Sequence, residues 1–358
     1  LQPIVRYPSG HKDTLEVAVL RCIRTGVAQS SGNMTIQQCK DMGWNHVLVS
    51  QHLGARVSDT DPIADHAGWQ GKVYCIVGKD AQFDNLLDAT GYPENPLGLC
   101  GYNCRHSFTP FLPGVSQNHN KPIDTEANRR AYELSQTQRA MERRVRAQKR
   151  KCTVLHTAVK SCEDPAGKAK LHEKYAQSAK RLQEQNAAYT KFCDDNDLKP
   201  YHERLAVAGW DRSAASTASA AVREQKRVDK MIADFNAEHV AKDPAELLPK
   251  HEYAHGVKEK LLNYSLNMKE GASGRDKAVV FQAALGYNAN NYELLMQEIM
   301  GGVGRYKASG KTTTEHGEKF TVRMLVKGAN GRYVPIRTGW IIAPEDRTPR
   351  MTTAFVDR

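Results

Sequence analysis

The feature that most constrains the fold is a pair of long segments in the middle of the chain that contain no helix-breaking residue. From Asp124 to Val159 there is neither glycine nor proline, and apolar side chains recur at helical spacing. A second such segment runs from Lys168 to Asn196, and the sequence Asp164-Pro-Ala-Gly separates the two. Proline and glycine interrupt helices because of their backbone preferences. The pattern therefore predicts a long helical hairpin.

The first of these helices carries a strong excess of positive charge. Between Glu126 and Lys151 there are nine Lys or Arg residues and three Glu, within a chain of net charge +11. This balance favours an anionic partner, either nucleic acid or an acidic protein surface. The alternative is a solvated helix face without a partner, which is what a run of charges usually is. The candidate nucleic-acid contacts are Arg139, Arg143, Arg146, Lys149 and Arg150.

Short apolar runs alternate with Gly, Pro and Asn before the hairpin, and this indicates a mixed helix and sheet domain. We expect Gly26 to close the first helix and Gly43 to end the second. Two helices and two strands are predicted, over Asp13–Thr25, Ile36–Asp41, His46–Ser50 and Lys72–Val77.

The region after the hairpin divides into a polar, Ser/Ala-rich part and a final part with strand-like alternation. Residues 211–255 are typical of a linker that contains a solvated helix, broken by Pro244 and Pro249. Beyond it, helical patterns precede β-rich runs, and Asn330-Gly331 is a strong hairpin signal. The predicted helices are Asp276–Leu285 and Tyr292–Met300, and the predicted strands lie within residues 319–326, 332–342 and 351–356.

The fold class predicted for the whole chain is α+β. It comprises an α+β domain over residues 1–118, a basic helical hairpin over 119–210, a linker over 211–255 and a small α+β domain with an antiparallel sheet over 256–358.

Composition limits the classes of protein that fit. No apolar run approaches the ~20 residues that a membrane span needs, so we expect no membrane partner. Eight cysteines, none after Cys193, are too few for a disulfide-stapled secreted scaffold, and they favour a reduced compartment. Because the chain starts with Leu1 and not Met, we expect that the natural amino end is missing or processed.

A loop with two thiols and an imidazole is the first candidate for chemistry. Cys100, Cys104 and His106 lie within seven residues, and these are zinc ligand types. A fourth ligand would come from His52, His66 or Cys75. The alternative is a tight loop whose small buried thiols only fix its shape, with no cofactor at all. Both interpretations stay open on the sequence.

Several ordered motifs resemble the phage minor capsid protein 2 family, which is similar to the head-morphogenesis proteins of Mu-like phages. The resemblance covers roughly residues 10 to 210. The stretch Ser58–Asp65 looks longer than the usual link of the family, which affects the local geometry around His66. The matching segments are residues 49–56, 66–74, 98–111, 132–139, 142–146, 189–197 and 203–209.

The resemblance implies a virion protein, made in the host cytoplasm and located in the capsid interior at or near the portal vertex. It implies few copies per particle, ejection with the DNA as one outcome, and portal and major capsid proteins as partners. Phage DNA is the anionic partner that it implies for the basic helix.

The last 95 residues resemble a small domain found at the ends of phage minor capsid proteins and polymorphic toxins. Such domains are often metal-independent ribonucleases of the barnase–colicin–RelE type, which implies host RNA as substrate and an immunity protein as a further partner. The alternative is a non-catalytic binding or scaffolding module in a purely structural chain. The resemblance rests on residues 262–267, 274–281, 285–288 and 349–355.

Residue types in this domain suit such a reaction. From Lys260 to Arg358 there are 15 Lys or Arg and 9 Asp or Glu residues. RNA cleavage without metal needs a base for the 2′-hydroxyl, a cation for the phosphate and an acid for the leaving oxygen. His316 is the only histidine after His255, and it is predicted to lie in a polar loop before a strand. The candidate catalytic residues are Lys277, His316, Arg337, Arg350 and Thr352. Solvated helix or loop positions and surface ion pairs are the alternatives for them.

Overall fold

The structure is a computed structural model that describes residues 3–8 and 10–357. Leu1, on which the expectation of a missing amino end rests, lies outside these residues. The described residues divide into two compact units. One unit holds the residues up to Met141 together with Phe192–Leu198, and the other holds Glu142–Lys191 and the residues from Lys199 onward. The domain boundaries near residues 118, 210 and 255 remain predictions.

The first unit packs a small antiparallel sheet against one long helix. Its central strand is β3, which pairs with β4 on one side and with β5 on the other. Its core includes Val47, Val49, Tyr74 and Phe108, all buried. In chain order the elements are β1 (Ile4–Arg6), β2 (Lys12–Thr14), α1 (Leu15–Asp41), β3 (His46–Val49), α2 (His66–Trp69), β4 (Val73–Cys75), α3 (Leu86–Thr90) and β5 (Phe108–Pro110).

Helix α1 corrects the prediction of two short helices. It continues through Gly26, which was expected to close the first of them, and ends before Gly43 as predicted. Glycine tolerates a helix interior when tertiary packing favours it. Gly32 has such a packing role, because a Cβ there would lie 2.8 Å from the hydroxyl of Tyr92. The predicted strands at His46–Ser50 and Lys72–Val77 are confirmed, each shorter in the structure.

The predicted helical hairpin is confirmed as α4 (Thr125–Ser161) and α5 (Pro165–Asp195). Within the second unit the two helices run antiparallel, since Gln148 donates to the Ser178 hydroxyl at 2.7 Å and His156 stacks on Tyr175. Asp164 begins α5 by accepting from the amide of Gly167. The Asp-Pro-Ala-Gly sequence therefore ends one helix and caps the next.

The carboxy-terminal part of the second unit places helices against one face of a four-stranded antiparallel sheet. The strand order is β6-β7-β8-β9. Trp340, Phe281, Ile299 and Met324 are at most 1% exposed in its core. The elements are α6 (Arg212–His239), α7 (Val257–Lys260), α8 (Arg275–Leu285), α9 (Tyr292–Val303), β6 (Ala308–Thr314), β7 (Gly317–Lys327), β8 (Tyr333–Ile342) and β9 (Pro349–Val356). The α+β class with an antiparallel sheet is confirmed.

The turn at Asn330-Gly331 is confirmed between β7 and β8, with Gly331 at φ +79°. The polar loop predicted at Thr312–Gly317 is wrong, because Thr312–Thr314 form the end of β6 and pair with β7. Threonine is β-branched and suits an exposed edge strand, so a polar run can still be a strand. His316 therefore lies in a tight hairpin turn.

Helix α6 packs its last turns against the sheet. Phe235 meets the ring of Tyr306 edge to face with centroids 5.8 Å apart, and Asn236 accepts from the Tyr306 hydroxyl at 3.0 Å. His239 is thereby brought next to β7. Among the described residues, no helix combines the length and apolarity that crossing a membrane demands.

The first turn of α4 is fastened to the chain after β3 by Asn128. Its side-chain oxygen accepts from the amides of Gly54 and Ala55 at 2.9 Å each, and its amide donates to the Ala55 carbonyl at 3.1 Å. All three groups are buried. An unpaired buried polar group costs about 1–3 kcal/mol.

We expect Asn128→Ala to lower the free energy of unfolding by about 1–3 kcal/mol, since two buried amides lose their acceptor. Urea denaturation measures this. Asn118→Ala is the control, because the hydrogen bonds of the Asn118 side chain with the Gly71 carbonyl and the Asn120 amide are exposed to solvent. Equal effects of the two changes would contradict the assignment.

Candidate functional sites

Two imidazoles and a thiol converge in the first unit. One donor atom from each of His66, Cys104 and His106 lies within 4.8 Å of the other two. We call these three residues the His–Cys cluster. His66 begins α2, while Cys104 and His106 lie in the loop that leads into β5. The two histidines are 2% and 3% exposed.

The loop that carries Cys104 depends on close backbone approaches. A Cβ on Gly98 would collide with the Thr90 carbonyl oxygen, and a Cβ on Gly101 would collide with that of Pro96. Only glycine allows these approaches, so the glycines of the motif have a steric role.

Burial keeps the cluster neutral. It lowers the pKa of His106 to about 3 and that of His66 to about 4, and it raises the pKa of Cys104. Neutral imidazoles have lone pairs available for a metal ion.

The structure brings together two of the three predicted metal ligands. Cys104 and His106 belong to the cluster, because the Cys104 thiol lies 3.6 Å from His106 Nδ1. The Cys100 thiol faces the His106 carbonyl at 3.9 Å, and burial raises its pKa to about 12. The third donor comes from His66, one of the residues predicted as a further ligand.

A second collection of polar groups covers the face of the carboxy-terminal sheet opposite Thr338 and Trp340. Arg323 and Arg337 are direct neighbours across β7 and β8. The Asp357 carboxylate, 6% exposed, pairs with both: Arg337 Nε lies 2.8 Å from one oxygen, and Arg323 Nε pairs with the other. We call this trio, with His239, the arginine face.

His239 has a defined tautomer. Its Nδ1 lies 3.1 Å from the Phe235 carbonyl, which can only accept, so Nδ1 carries the proton. Nε2 then has a lone pair, and it accepts from Arg323 Nη1 at 3.0 Å.

Lys277 and Thr352 adjoin the arginine face. The Lys277 ammonium donates to Thr353 at 2.8 Å and lies over the ring of Tyr264. Thr352 lies at a bulge in β9, beside Gly339 of β8: its hydroxyl would be 2.9 Å from a Cβ built on that glycine. Gly339 is two residues along β8 from Arg337. The result is a row of cations and hydroxyls suited to an anionic ligand.

Two predicted catalytic residues lie elsewhere. His316 is 76% exposed in the β6–β7 turn, seven residues before Arg323, which is about 23 Å at strand spacing. Arg350 pairs with Ile341 and packs on Gly256. Neither joins the arginine face.

The sequence profile of the phage minor capsid protein 2 family matches residues 2–194, more than half of the chain. This chain belongs to the phage minor capsid protein 2 family. Two curated relatives are each named "Structural protein". One, from Lactococcus phage LL-H, is 29% identical over 40% of this chain and 37% of its own length, so this chain covers little more than a third of it. The other, from Lactococcus phage mv4, is 30% identical over 32% of this chain and 84% of its own.

The carboxy-terminal part has different likenesses. Residues 247–358 match a domain of unknown function, DUF6883. A solved contact-dependent growth inhibition toxin–immunity protein complex from Klebsiella pneumoniae 342 aligns over 30% of this chain and 93% of that chain, with 13% identity and a TM-score of 0.24. This likeness is too low to support an inference.

Within the phage minor capsid protein 2 segment, several predicted nucleic-acid contacts have structural partners. Arg146 donates to the Arg204 carbonyl at 2.6 Å, and Lys149 donates to the Leu205 carbonyl at 2.7 Å. Arg139 lines a pocket beside the His–Cys cluster, and Arg150 is half-buried. Arg143 is exposed.

Sequence reasoning missed His239, Arg323 and Asp357 as a group. His239 lies in the segment that the sequence predicts as a linker, outside the predicted final domain. A signal was present, since Ile232, Phe235 and His239 recur at helical spacing and predict a face that packs.

We expect Lys149→Met to cost about 1.5–3 kcal/mol of stability, because a carbonyl loses a charged donor. Arg143→Met, on the same helix, should change stability by less than about 0.5 kcal/mol. Chemical denaturation compares them. An unchanged stability in Lys149→Met would show that the hydrogen bond from Lys149 to the Leu205 carbonyl is not formed in solution.

Proposed function

We propose that this chain is a structural component of the phage virion, located inside the head at or near the portal. The observation that carries this proposal is the family match over residues 2–194. The two relatives named as structural proteins support it. The long antiparallel helices, with Arg143 exposed, offer a surface for acidic portal segments or packaged DNA.

Purified virions test this location. We expect the protein in intact particles at far fewer copies than the major capsid protein, with its density at the portal vertex in asymmetric reconstructions. Quantitative mass spectrometry gives the copy number. Absence from virions, or a copy number equal to that of the major capsid protein, would overturn the proposal.

A second proposal concerns the carboxy-terminal domain, because a structural role in the capsid does not explain its arginine face. We infer that the arginine face binds a phosphodiester and that the domain is a metal-independent ribonuclease. The observation that favours this is the pairing of Arg323 and Arg337 with one carboxylate, next to a histidine whose Nε2 lone pair accepts from Arg323. An immunity protein that covers this face would protect the producing cell.

The proposed reaction uses groups already in place. Phosphate binding by Arg323 and Arg337 releases His239 Nε2, which takes the 2′-hydroxyl proton. The 2′-oxygen then attacks phosphorus, and the bond to the 5′-oxygen breaks as that oxygen receives a proton from Lys277. Thr352 and Thr353 orient the phosphate. His239 replaces His316 as the base in this scheme.

The test uses the full chain, because His239 lies outside residues 247–358. We expect cleavage of tRNA in excess EDTA, reduced about 10²–10³-fold in Arg337→Gln and at least 10²-fold in His239→Gln. His316→Gln is the control and should retain full activity. Melting temperatures check that the variants fold.

The outcomes separate the two interpretations of the domain. RNA binding that depends on Arg337 without cleavage would overturn the ribonuclease and leave a binding module. Loss of activity in His316→Gln with normal activity in His239→Gln would overturn the assignment of the base.

A further inference from the structure

The His–Cys cluster of the first unit plays no part in either proposed function. His66, Cys104 and His106 are neutral, mostly buried and within 4.8 Å of one another through their donor atoms. Burying such polar side chains costs free energy unless each polar atom has a hydrogen-bond partner. What these donors face is therefore informative.

The orientation of His66 is fixed by a backbone carbonyl. Its Nε2 lies 2.8 Å from the Leu97 carbonyl oxygen, which can only accept a hydrogen bond. Nε2 therefore carries the proton, and Nδ1 has the lone pair. Metal-binding histidines typically donate their second N–H to a carbonyl or carboxylate in this way.

His106 is oriented in the same way through Gln70. The Gln70 side-chain oxygen accepts from the His52 amide at 2.9 Å, and a backbone amide can only donate. The same oxygen lies 3.1 Å from His106 Nε2, which must then be the donor. His106 Nδ1 therefore has the lone pair and accepts from the Cys104 thiol, so both imidazoles share one tautomer.

The thiol lies where a shared metal would place it. Cys104 Sγ is 3.6 Å from His106 Nδ1. A tetrahedral zinc ion with bonds of about 2.3 Å to sulfur and 2.0–2.1 Å to nitrogen separates those atoms by about 3.5–3.6 Å. This pair of atoms therefore already has the separation that a shared zinc ion requires.

A small polar pocket of about 110 Å³ adjoins the two histidines. Arg56, Arg105 and Arg139 line it, and among the described residues no acidic side chain does. His52 also lines it, and His52 Nε2 is buried without a hydrogen-bond partner. The pocket gives water access to a fourth coordination position.

The other histidine–cysteine group of this unit is different. His46 Nε2 lies 2.8 Å from an Asp80 oxygen, and the Cys75 thiol donates to the same carboxylate at 3.5 Å. In this group both the imidazole and the thiol are bonded to a carboxylate. They provide a matched control for the cluster.

We propose that Cys104 Sγ, His66 Nδ1 and His106 Nδ1 bind one divalent transition-metal ion of the zinc type, with a water molecule in the fourth position facing the pocket. Binding releases the Cys104 proton to solvent as the zinc–sulfur bond forms. The ion joins the start of α2 to the loop before β5. Gln70 is a positioning residue that fixes His106.

The test uses the full chain without an affinity tag. Metal analysis after expression with zinc should give about one equivalent per chain, and reloading with Co²⁺ should give a thiolate-to-cobalt charge-transfer band with tetrahedral d–d absorption. Cys104→Ser should lose the charge-transfer band, and His66→Ala should lose most of the bound metal. Cys75→Ser and Cys100→Ser should retain both signals.

Variants of Gln70 test whether this residue acts through His106 on metal affinity, which a purely structural role would leave unchanged. Gln70→Ala should weaken Co²⁺ binding about 10–100-fold, and Gln70→Glu should restore it, because a carboxylate still accepts from His106. Circular dichroism melts establish that each variant folds, and added Zn²⁺ should raise the melting temperature of the wild type but not of Cys104→Ser.

Three results would overturn the proposal. The first is a folded wild type that binds no stoichiometric Zn²⁺ or Co²⁺. The second is loss of the cobalt signals in Cys75→Ser or Cys100→Ser with Cys104→Ser unaffected, which would place the metal elsewhere. The third is equal binding by Gln70→Ala and wild type.

Discussion

The pairing of β5 with β3 is the interaction on which the amino-terminal unit depends. β5 follows the glycine-rich loop directly, so its ladder with β3 draws that loop against the sheet. Leu99 and Cys100 enter the same buried core as Val47 and Tyr74. The sequence separation of about 60 residues is what makes this pairing hard to read from local patterns. Once it forms, His66 and His106 become neighbours.

A comparable role belongs to Asp357 in the carboxy-terminal domain. One mostly buried carboxylate near the end of the chain holds two arginines side by side, and they would otherwise repel each other across β7 and β8. The same arrangement fixes their guanidinium groups on one face of the sheet. Because Asp357 neutralises only part of that charge, the face keeps a preference for anions.

The sequence predicted regular elements well where the signal is local. The absence of glycine and proline over Asp124–Val159 predicted α4, and Asn330-Gly331 predicted the β7–β8 hairpin. It failed where tertiary packing decided the outcome. Gly26 does not end α1, and the helix continues to Asp41, where Gly32 and Cys39 are buried. β6 was missed because threonines on an exposed edge resemble a polar loop.

The candidate sites show the same division between features that the local sequence predicts and features that depend on tertiary packing. Residue types in the Cys100–His106 motif predicted metal chemistry, but which thiol faces the imidazoles depends on the backbone path between Gly98 and Gly101. For the arginine face, Lys277, Arg337 and Thr352 were predicted from residue type alone. His239 and Asp357 could not be added, since their partners are distant in sequence and only the packing of α6 and the end of β9 brings them together.

The loop around Cys100–His106 and the strands before it form one folding unit. Native-state hydrogen exchange of the full chain tests it most directly. The amides of Leu99, Ser50 and Phe111 bond across the loop and sheet, to Thr90, Ser107 and His46 respectively. We expect these amides and those of β3 to open together, with a common free energy of exchange and a common response to denaturant. Rapid, independent exchange of Leu99 and Ser50 beside a well-protected β3–β4 ladder would contradict it.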